Sequence, residues 1–561
     1  MPDSHPMRTG ARVLVDALCV HGVDTVFAVA GESYLEVLDA LYDSSNEIRV
    51  ITCRHEAGAA HMAEAYGKLT GRPGICFVTR GPGATHASIG IHAAHQASTP
   101  MIMLVGQVDR DHTDREAFQE VDYRQFFGGM TKWTSQLDWP GRIPEQMARA
   151  FQTAVSGRPG PVVLALPEDM QGLKVAVADT APYTAVRAHP GAADLARMAE
   201  MVEAAERPML VVGGGGWSRE ASADIASFAQ SFDLPMICTF RRQDIVDNSH
   251  LCYAGDLTTA TNPALLERVK HADLLLVVGS RLDEIATQRY RLIEPPIPTQ
   301  TLIHVHADSA VLGSVYQPQL AIQSGMGEFA AAARALAPKS QPRWADYRVA
   351  ARKDYEDSLV PSPYSGDLDL GACMIWLRET MPEDAIVTID AGNFSGWPMR
   401  FLQWRKPRTQ LAPQAGAMGA AVPSAVGAAI IHPEREVLGF VGDGGFMMTG
   451  QELATAMQHG AAPIILLFDN GMFGTIRMHQ ERDHPGRTIA TDLRNPDFAA
   501  LARAYGAVGE TVERTEDFAP AITRARESGK AALIHIKMDP DVISTRTTLS
   551  KIRETALAKR K

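Results

Sequence analysis

The stretch EVLGFVGDGGFMMTGQELATAMQHGAAPIILLFDNGMFG, residues 436–474, decides how the rest of the chain is read. An apolar run from Val437 to Val441 stops at Gly442-Asp443-Gly444, a helical pattern follows from Thr449 to His459, and a second apolar run, Ile464 to Phe468, stops at Asp469-Asn470. The pattern predicts a strand, a crossover helix and a second strand. Such a crossover joins parallel strands in the right-handed sense, so both runs end at one carboxyl edge. Asp443 and Asn470 then project from the edge at which open α/β sheets bind ligands.

Oxygen-bearing side chains beside glycines at a helix start suit a hard cation holding a diphosphate. Magnesium takes oxygen ligands and keeps phosphate among them. The amides of Gly444 and Gly445 can face phosphate oxygens at the positive end of a helix, and the carbonyl of Met472 can add a ligand. Taken alone, Gly-Asp-Gly is an ordinary strand-to-helix turn and Asn470 a turn former. The pair at successive strand ends tips the reading toward a metal-diphosphate site.

With 561 residues the chain exceeds one ordinary core and predicts three or four domains. Hydrophobic residues at 45% and charged ones at 21% indicate a soluble globular protein. A net charge of −11 argues against a nucleic-acid or anionic-membrane surface, so a diphosphate would be held by local amides and a metal. Six scattered cysteines with no CxxC pair point to free thiols in a reducing compartment. The opening MPDSHPMRTG lacks the apolar core of a signal peptide and no apolar run is long enough to span a bilayer, which predicts a cytoplasmic protein.

From Thr9 to about Met170, short apolar strands alternate with helices: VDTVFAVAG closes on Gly31, IRVITC leads into RHEAGAAHMAEAYGKLTG, and GICFVTRGPG closes on a glycine turn. A middle region opens with RPMLVVGGGGWS and continues with HADLLLVVGSRLDE and TLIHVHAD. The last part begins with LGACMIWLRETM and AIVTIDAG. Strands separated by helices predict parallel, doubly wound α/β sheets. The expected boundaries are 1–172, 190–338 and 366–545, with linkers near 172–190 and 339–367 and a polar, basic tail, 546–561, read as a surface arm or flexible lid. The four glycines at 213–216 read first as a tight turn, because Ser218 stands where a dinucleotide fingerprint needs its third glycine. Glu56 opens a helix backed by small residues; a helix N-terminus favours an acid on electrostatic grounds alone, so this acid by itself is ambiguous.

Taken together, these motifs resemble the thiamine diphosphate enzymes, in which a Gly-Asp-Gly triplet is followed one crossover later by Asn. The resemblance implies that Asp443, Asn470 and the Met472 carbonyl bind Mg2+, and that Gly442, Gly444 and Gly445 lie against the cofactor's diphosphate. It implies that Glu56, in a segment followed by a GPG loop (Gly81 to Gly83), hydrogen-bonds the cofactor's pyrimidine and favours the imino tautomer that removes the thiazolium proton. Gly31 is placed at the same edge. Met418 matches the bulky residue over which the family bends its cofactor, and Gly416 the backbone acceptor for the pyrimidine amine.

Within that family, AFQEVD followed by TK resembles the acetohydroxyacid synthase branch, in which the residues matching Phe118 and Gln119 line the reaction pocket. Lys132, Ile476 and His479 are further pocket candidates. The implied activity is decarboxylation of a 2-keto acid such as pyruvate, with ligation to a second carbonyl. An obligate homodimer or dimer of dimers is also implied. Two departures stand out: Ile285 occupies the place of the branch's acceptor-binding arginine, with Arg289 or Arg291 near enough in sequence to substitute, and His479 occupies that of a tryptophan. They keep open a 2-keto acid decarboxylase or an aldehyde ligase or lyase on the same scaffold. A flavin on the middle domain, as acetohydroxyacid synthases carry, is the minor reading there. A non-catalytic relative would have lost Glu56, Asp443 or Asn470, and all three are present.

Overall fold

Three sets of buried apolar strands form three six-stranded sheets, parallel throughout, in the computed structural model, which describes residues 5–362 and 366–560. The first sheet contains β2 (Thr25–Ala28), β3 (Arg49–Thr52), β4 (Gly74–Val78), β5 (Met101–Gln107), β6 (Trp133–Gln136) and β7 (Pro161–Pro167), in the order 3-2-4-5-7-6. The second contains β9 (Pro208–Val212), β10 (Met236–Cys238), β11 (Tyr253–Asp256), β12 (Leu274–Val278), β13 (Thr301–His306) and β14 (Leu320–Gln323), in the order 11-10-9-12-13-14. The third contains β15 (Ile386–Ile389), β16 (Gln410–Leu411), β17 (Val437–Gly442), β18 (Ile464–Asp469), β19 (Val508–Val512) and β20 (Ala532–Lys537), in the order 16-15-17-18-20-19. The first and third sheets therefore share one topology. The remaining strands, β1 (Met7–Thr9) and β8 (Lys174–Ala176), pair antiparallel.

Parallel sheets covered by helices on both faces need strands that are apolar throughout. In the middle sheet, Leu210 and Val212 enter one core while Met209 and Val211 enter the other, and β12 divides Leu274, Leu276 and Val278 from Leu275 and Val277 in the same way. The glycine run beside it is a tight turn: a Cβ on Gly214 would lie 1.9 Å from the Gly279 carbonyl oxygen, and Trp217 Nε1–H donates to the Gly213 carbonyl at 2.7 Å.

By internal contacts the chain forms two compact units, one comprising residues up to Val186 with 415–433 and 449–462, the other 187–414, 434–448 and 463 onward. Three expectations are corrected. The linker read at 172–190 contains β8. The linker read at 339–367, whose residues 363–365 lie outside the described residues, contains the helix Ala345–Ser358, which buries only Ala351 and Tyr355 and is laced by Arg352–Glu356 and Lys353–Asp357 pairs. A nearly all-polar helix carries almost no hydrophobic period, which is why it read as a linker. The tail, apart from residue 561, which is outside the described set, is no free arm. Its helix Leu549–Ala558 packs on the helix Gly474–Asp483, and Arg553 pairs with the fully buried Glu481.

Asp256 ends β11 half-buried, with one carboxylate oxygen sheltered and unpartnered. Burial lifts its carboxyl to about 7 against a hydrogen bond from Gln243 that lowers it. The raised value means that this residue's contribution is most favourable below the unfolded pKa near 4 and is lost as pH rises through about 7. Asp256→Asn is expected to gain about 1–2 kcal/mol over the parent at pH 8 and little at pH 4, by urea denaturation at the two pH values.

Candidate active site

In the first unit, the loops after β2, β3, β4 and β5 contribute. Gly31 follows β2, and a Cβ there would sit 2.4 Å from Thr79 Cβ, so glycine lets the loops after β2 and β4 close and Ser33 Oγ meet Thr79 Oγ1 at 2.9 Å. Gly81 takes φ +47 and donates its N–H to Tyr123 Oη at 2.9 Å. A Cβ on Gly81 would be 2.7 Å from the Gln119 carbonyl oxygen, so the loop bearing Phe118 and Gln119 closes on this turn. Gln119 is itself left-handed, at φ +65. Phe118 is 72% exposed, its ring 5.9 Å from Arg80 Cζ, and Arg80 is neutralised by Glu32 and Glu168.

Glu56 is the first residue of the helix Glu56–Thr70, directly after β3. His55 caps that helix, its Nδ1 accepting the Ala57 N–H at 3.1 Å. The Glu56 side chain is mostly shielded, at 13% exposed, and its Oε2 lies 2.9 Å from His86 Nδ1. A second, fully buried acid supports the helix from behind: Glu452 Oε1 accepts the N–H groups of Arg54 at 3.2 Å and His55 at 3.0 Å, and burial pushes its carboxyl pKa up. Gly58 makes this possible, because a Cβ there would stand 2.2 Å from Glu452 Oε1. Gly58→Ala, by evicting that carboxylate from its donors, is expected to cost about 2–3 kcal/mol in chemical denaturation. Also in this unit, Gly416 takes φ +66 with open space around its α-carbon, and Met418 is half-buried nearby in sequence.

Lys132 stands elsewhere. It precedes β6 at the amino edge, its N–H on the Pro161 carbonyl and its Nζ on the Ser156 carbonyl at 2.5 Å. A parallel strand must begin at the edge opposite the binding loops, so the chain has crossed over by residue 132.

In the second unit, β17 and β18 are adjacent and parallel, Gly442 opposite Phe468, as the crossover predicted. The helix begins earlier than its pattern indicated: Asp443–Thr449 is already helical, and a second helix runs Glu452–His459. Asp443 is therefore the first helical residue rather than the centre of a turn, and its Oδ1 accepts the Gly444 N–H at 2.8 Å. Gly445 is required because a Cβ would lie 2.1 Å from Asp390 Oδ2. Asn470 Oδ1 accepts the Met472 N–H at 3.2 Å, which curls the backbone after β18 and buries Met472.

Two residues that the sequence reading passed over complete this centre. Asn495 donates to Asp443 Oδ2 at 2.8 Å and to Asp469 Oδ1 at 2.7 Å, and His535 Nε2 lies 2.8 Å from Asp469 Oδ2. Burial raises the Asp443 carboxyl above the usual range. Burial would raise Asp469 too, but hydrogen bonds from His535, Asn495 and the Gly471 N–H outweigh it and hold that carboxyl below the usual range. The signal for Asp469 lay in the quoted stretch, where it was read as part of a turn. Asn495 lies a loop away and had none.

This donor set fits a hard divalent cation. Among the described residues Asp443 has no ion pair, although it is a buried carboxylate beside a second one. An ion ligated by oxygen offsets what burial costs such an acid. Asp443, Asn470 and the Met472 carbonyl are all oxygen donors at one strand edge.

Beyond this centre, the helix Gly474–Asp483 carries Ile476, 53% exposed, and His479, whose Nδ1 is sheltered without a hydrogen-bond partner. Burial, then Arg482 and Arg289, lowers the His479 pKa. Arg289 belongs to a run of three left-handed residues, Gln288 to Tyr290. Ile285, by contrast, packs against the core of the third sheet.

Two parallel sheets of one topology, an acid at the edge of the first and an acidic centre with a glycine-bounded helix at the edge of the third define a class, and sequence comparison identifies it. Residues 8–126, 195–333 and 390–536 match the N-terminal TPP binding, central and C-terminal TPP binding domains of the thiamine pyrophosphate enzymes, and the chain belongs to that family. Among its relatives are three acetolactate synthase chains. The acetolactate synthase large subunit of Corynebacterium glutamicum is 33% identical, with 92% of this chain and 85% of the relative covered. The acetolactate synthase isozyme 2 large subunit of Escherichia coli K12 is 32% identical, with 94% and 95% covered. The probable acetolactate synthase large subunit of Methanocaldococcus jannaschii is 30% identical, with 95% and 92% covered.

Proposed function

We propose that this chain is a thiamine diphosphate-dependent carboligase of the acetolactate synthase kind, which decarboxylates pyruvate and joins the remaining two-carbon unit to a second carbonyl compound. The observation that carries the reading is that one chain holds both a shielded glutamate at the first sheet's binding edge and the Asp443 centre at the third's, and aligns over nearly its whole length with acetolactate synthases. When bound, thiamine diphosphate supplies a thiazolium carbon that attacks the keto acid and a ring that accepts the electrons released with carbon dioxide. Asp443, Asn470 and the Met472 carbonyl hold Mg2+ and through it the diphosphate, with Gly442, Gly444 and Gly445 leaving room for it. Gly416 and Met418 meet the pyrimidine end, Gly31 borders the same edge, and Glu56 holds the proton shared with that ring. Phe118, Gln119, Ile476 and His479 border the substrate; Lys132 has no part in it.

We further place the domain boundaries at 1–172, 190–338 and 366–545, and the protein in the cytoplasm as a homo-oligomer, a dimer or dimer of dimers, in which a second copy completes each Glu56 half-site. No helix among the described residues is long and apolar enough to cross a membrane.

A second reading, a decarboxylase or aldehyde ligase on this scaffold, is favoured by one observation: Ile285 is packed into a core instead of offering a cation to an acceptor carboxylate. Paired 2-keto acids and aldehydes supplied with Mg2+ and thiamine diphosphate separate the two. A 2-hydroxy-2-methyl-3-keto acid supports the first, and an aldehyde or a neutral hydroxyketone alone supports the second. The visible spectrum of the supernatant after denaturation shows whether a flavin accompanies the middle domain.

A further inference from the structure

His86 touches the glutamate on which the proposed chemistry turns, and nothing in that chemistry has yet used it. It lies one turn into the helix Pro82–Ala97, just past the Gly81–Gly83 turn. Its Nδ1 is 2.9 Å from Glu56 Oε2, whereas Oε1 is turned toward Gly83, where a Cβ would stand 3.6 Å from it. When Glu56 is ionised its oxygens only accept, so in that state His86 Nδ1–H is the donor of this contact. The His86 ring is in turn braced: His55 stacks on it with centroids 4.7 Å apart and planes inclined at 29°, and His55 is fixed by its bond to the Ala57 N–H. Helix cap, first ring, second ring and carboxylate form one continuous support.

We propose that His86 is a positioning residue for Glu56, holding one carboxylate oxygen so that the other alone is presented to the cofactor. The proposal rests on the reading of Glu56 given above. A glutamate rooted only at its Cα samples several rotamers, and the fraction poised for proton sharing falls accordingly. Anchoring Oε2 removes that freedom, which matters because small misplacements of a reacting group cost large factors in rate. His55, Glu56 and His86 each bring a ligand atom within 4.8 Å of the others, a spacing at which a transition metal is conceivable. Two of its nitrogens are already committed, His55 Nδ1 to the Ala57 N–H and His86 Nδ1 to Glu56 Oε2, so the cluster as built is a hydrogen-bonded support.

The test uses the full chain as His86→Ala, His86→Asn and Glu56→Gln, each with Mg2+ and thiamine diphosphate, and Glu56→Ala as the control for the NMR measurement. His86→Ala is expected to lower kcat about 10- to 100-fold, while calorimetric cofactor affinity stays within about threefold. His86→Asn, whose amide N–H can occupy the place of Nδ1–H, is expected to recover kcat to within about threefold of the parent. In the cofactor-free chain, 15N NMR of labelled histidines is expected to show a protonated His86 Nδ1 in slowed exchange, lost in Glu56→Ala. Parental kcat in His86→Ala, an Asn variant as poor as the Ala variant, or an Nδ1–H indifferent to Glu56→Ala each overturns the proposal. If Glu56→Gln alone is impaired, the role of Glu56 stands and that of His86 falls; if Glu56→Gln turns over normally, both fall.

Discussion

Glu56→Gln is expected to lower turnover by about 10²–10⁴-fold while cofactor binding stays within an order of magnitude, the signature of losing proton transfer rather than binding. Glutamine keeps the size of the side chain and an acceptor oxygen, so the contact with His86 Nδ1 and the packing at the helix start persist. What it cannot do is hold a proton shared with a ring nitrogen. The setting makes that loss hard to replace. Glu56 is mostly shielded from water, and the neighbouring buried acid, Glu452, is committed to the backbone amides of Arg54 and His55. Steady-state kinetics against pyruvate, with calorimetry on the same preparations, separates the two effects.

Asp443→Ala is expected to weaken thiamine diphosphate binding at fixed Mg2+ by about 10³-fold or more, with the fold retained. A ligand supplied directly to the ion matters more than the outer-shell groups whose loss costs 10- to 100-fold. Stability is expected to hold because, without a bound ion, Asp443 is a liability: burial raises its carboxyl pKa, and it lies beside Asp469 through a shared Asn495 donor. Removing it relieves that repulsion. Thermal melts without ligand should therefore match or exceed the parent, whereas the rise in Tm on adding cofactor and Mg2+ should vanish.

The sequence was most legible where one residue type does one job. Val437 to Val441 and Ile464 to Phe468 are apolar at every position because a central parallel strand is covered on both faces, so β17 and β18 could be read directly. Asp443 and Asn470 stand at the ends of such runs, whereas Glu56 follows the edge strand β3, whose Arg49 and Thr52 are exposed, and is marked in the sequence by the small residues behind it. Legibility failed where the period is weak or the partner distant. The helix Ala345–Ser358 is polar on nearly every side, and the tail helix is held by Arg553 on Glu481, a pairing between segments far apart in sequence. Asn495 and His535 reach the Asp443 centre from separate later segments, and no local spacing announces them. Lys132 falls at the amino edge beside β6, and a lysine beside a binding-loop motif carries no mark of which sheet edge it reaches.

The most direct measurement supplies 13C-labelled pyruvate to the purified chain with Mg2+ and thiamine diphosphate and follows all labelled carbon by NMR. The account predicts one carbon dioxide for every two pyruvates consumed, with the remaining label in acetolactate. Carbon dioxide matched by acetaldehyde would contradict the carboligase reading, and a cofactor-loaded chain that releases no carbon dioxide at all would contradict the account as a whole.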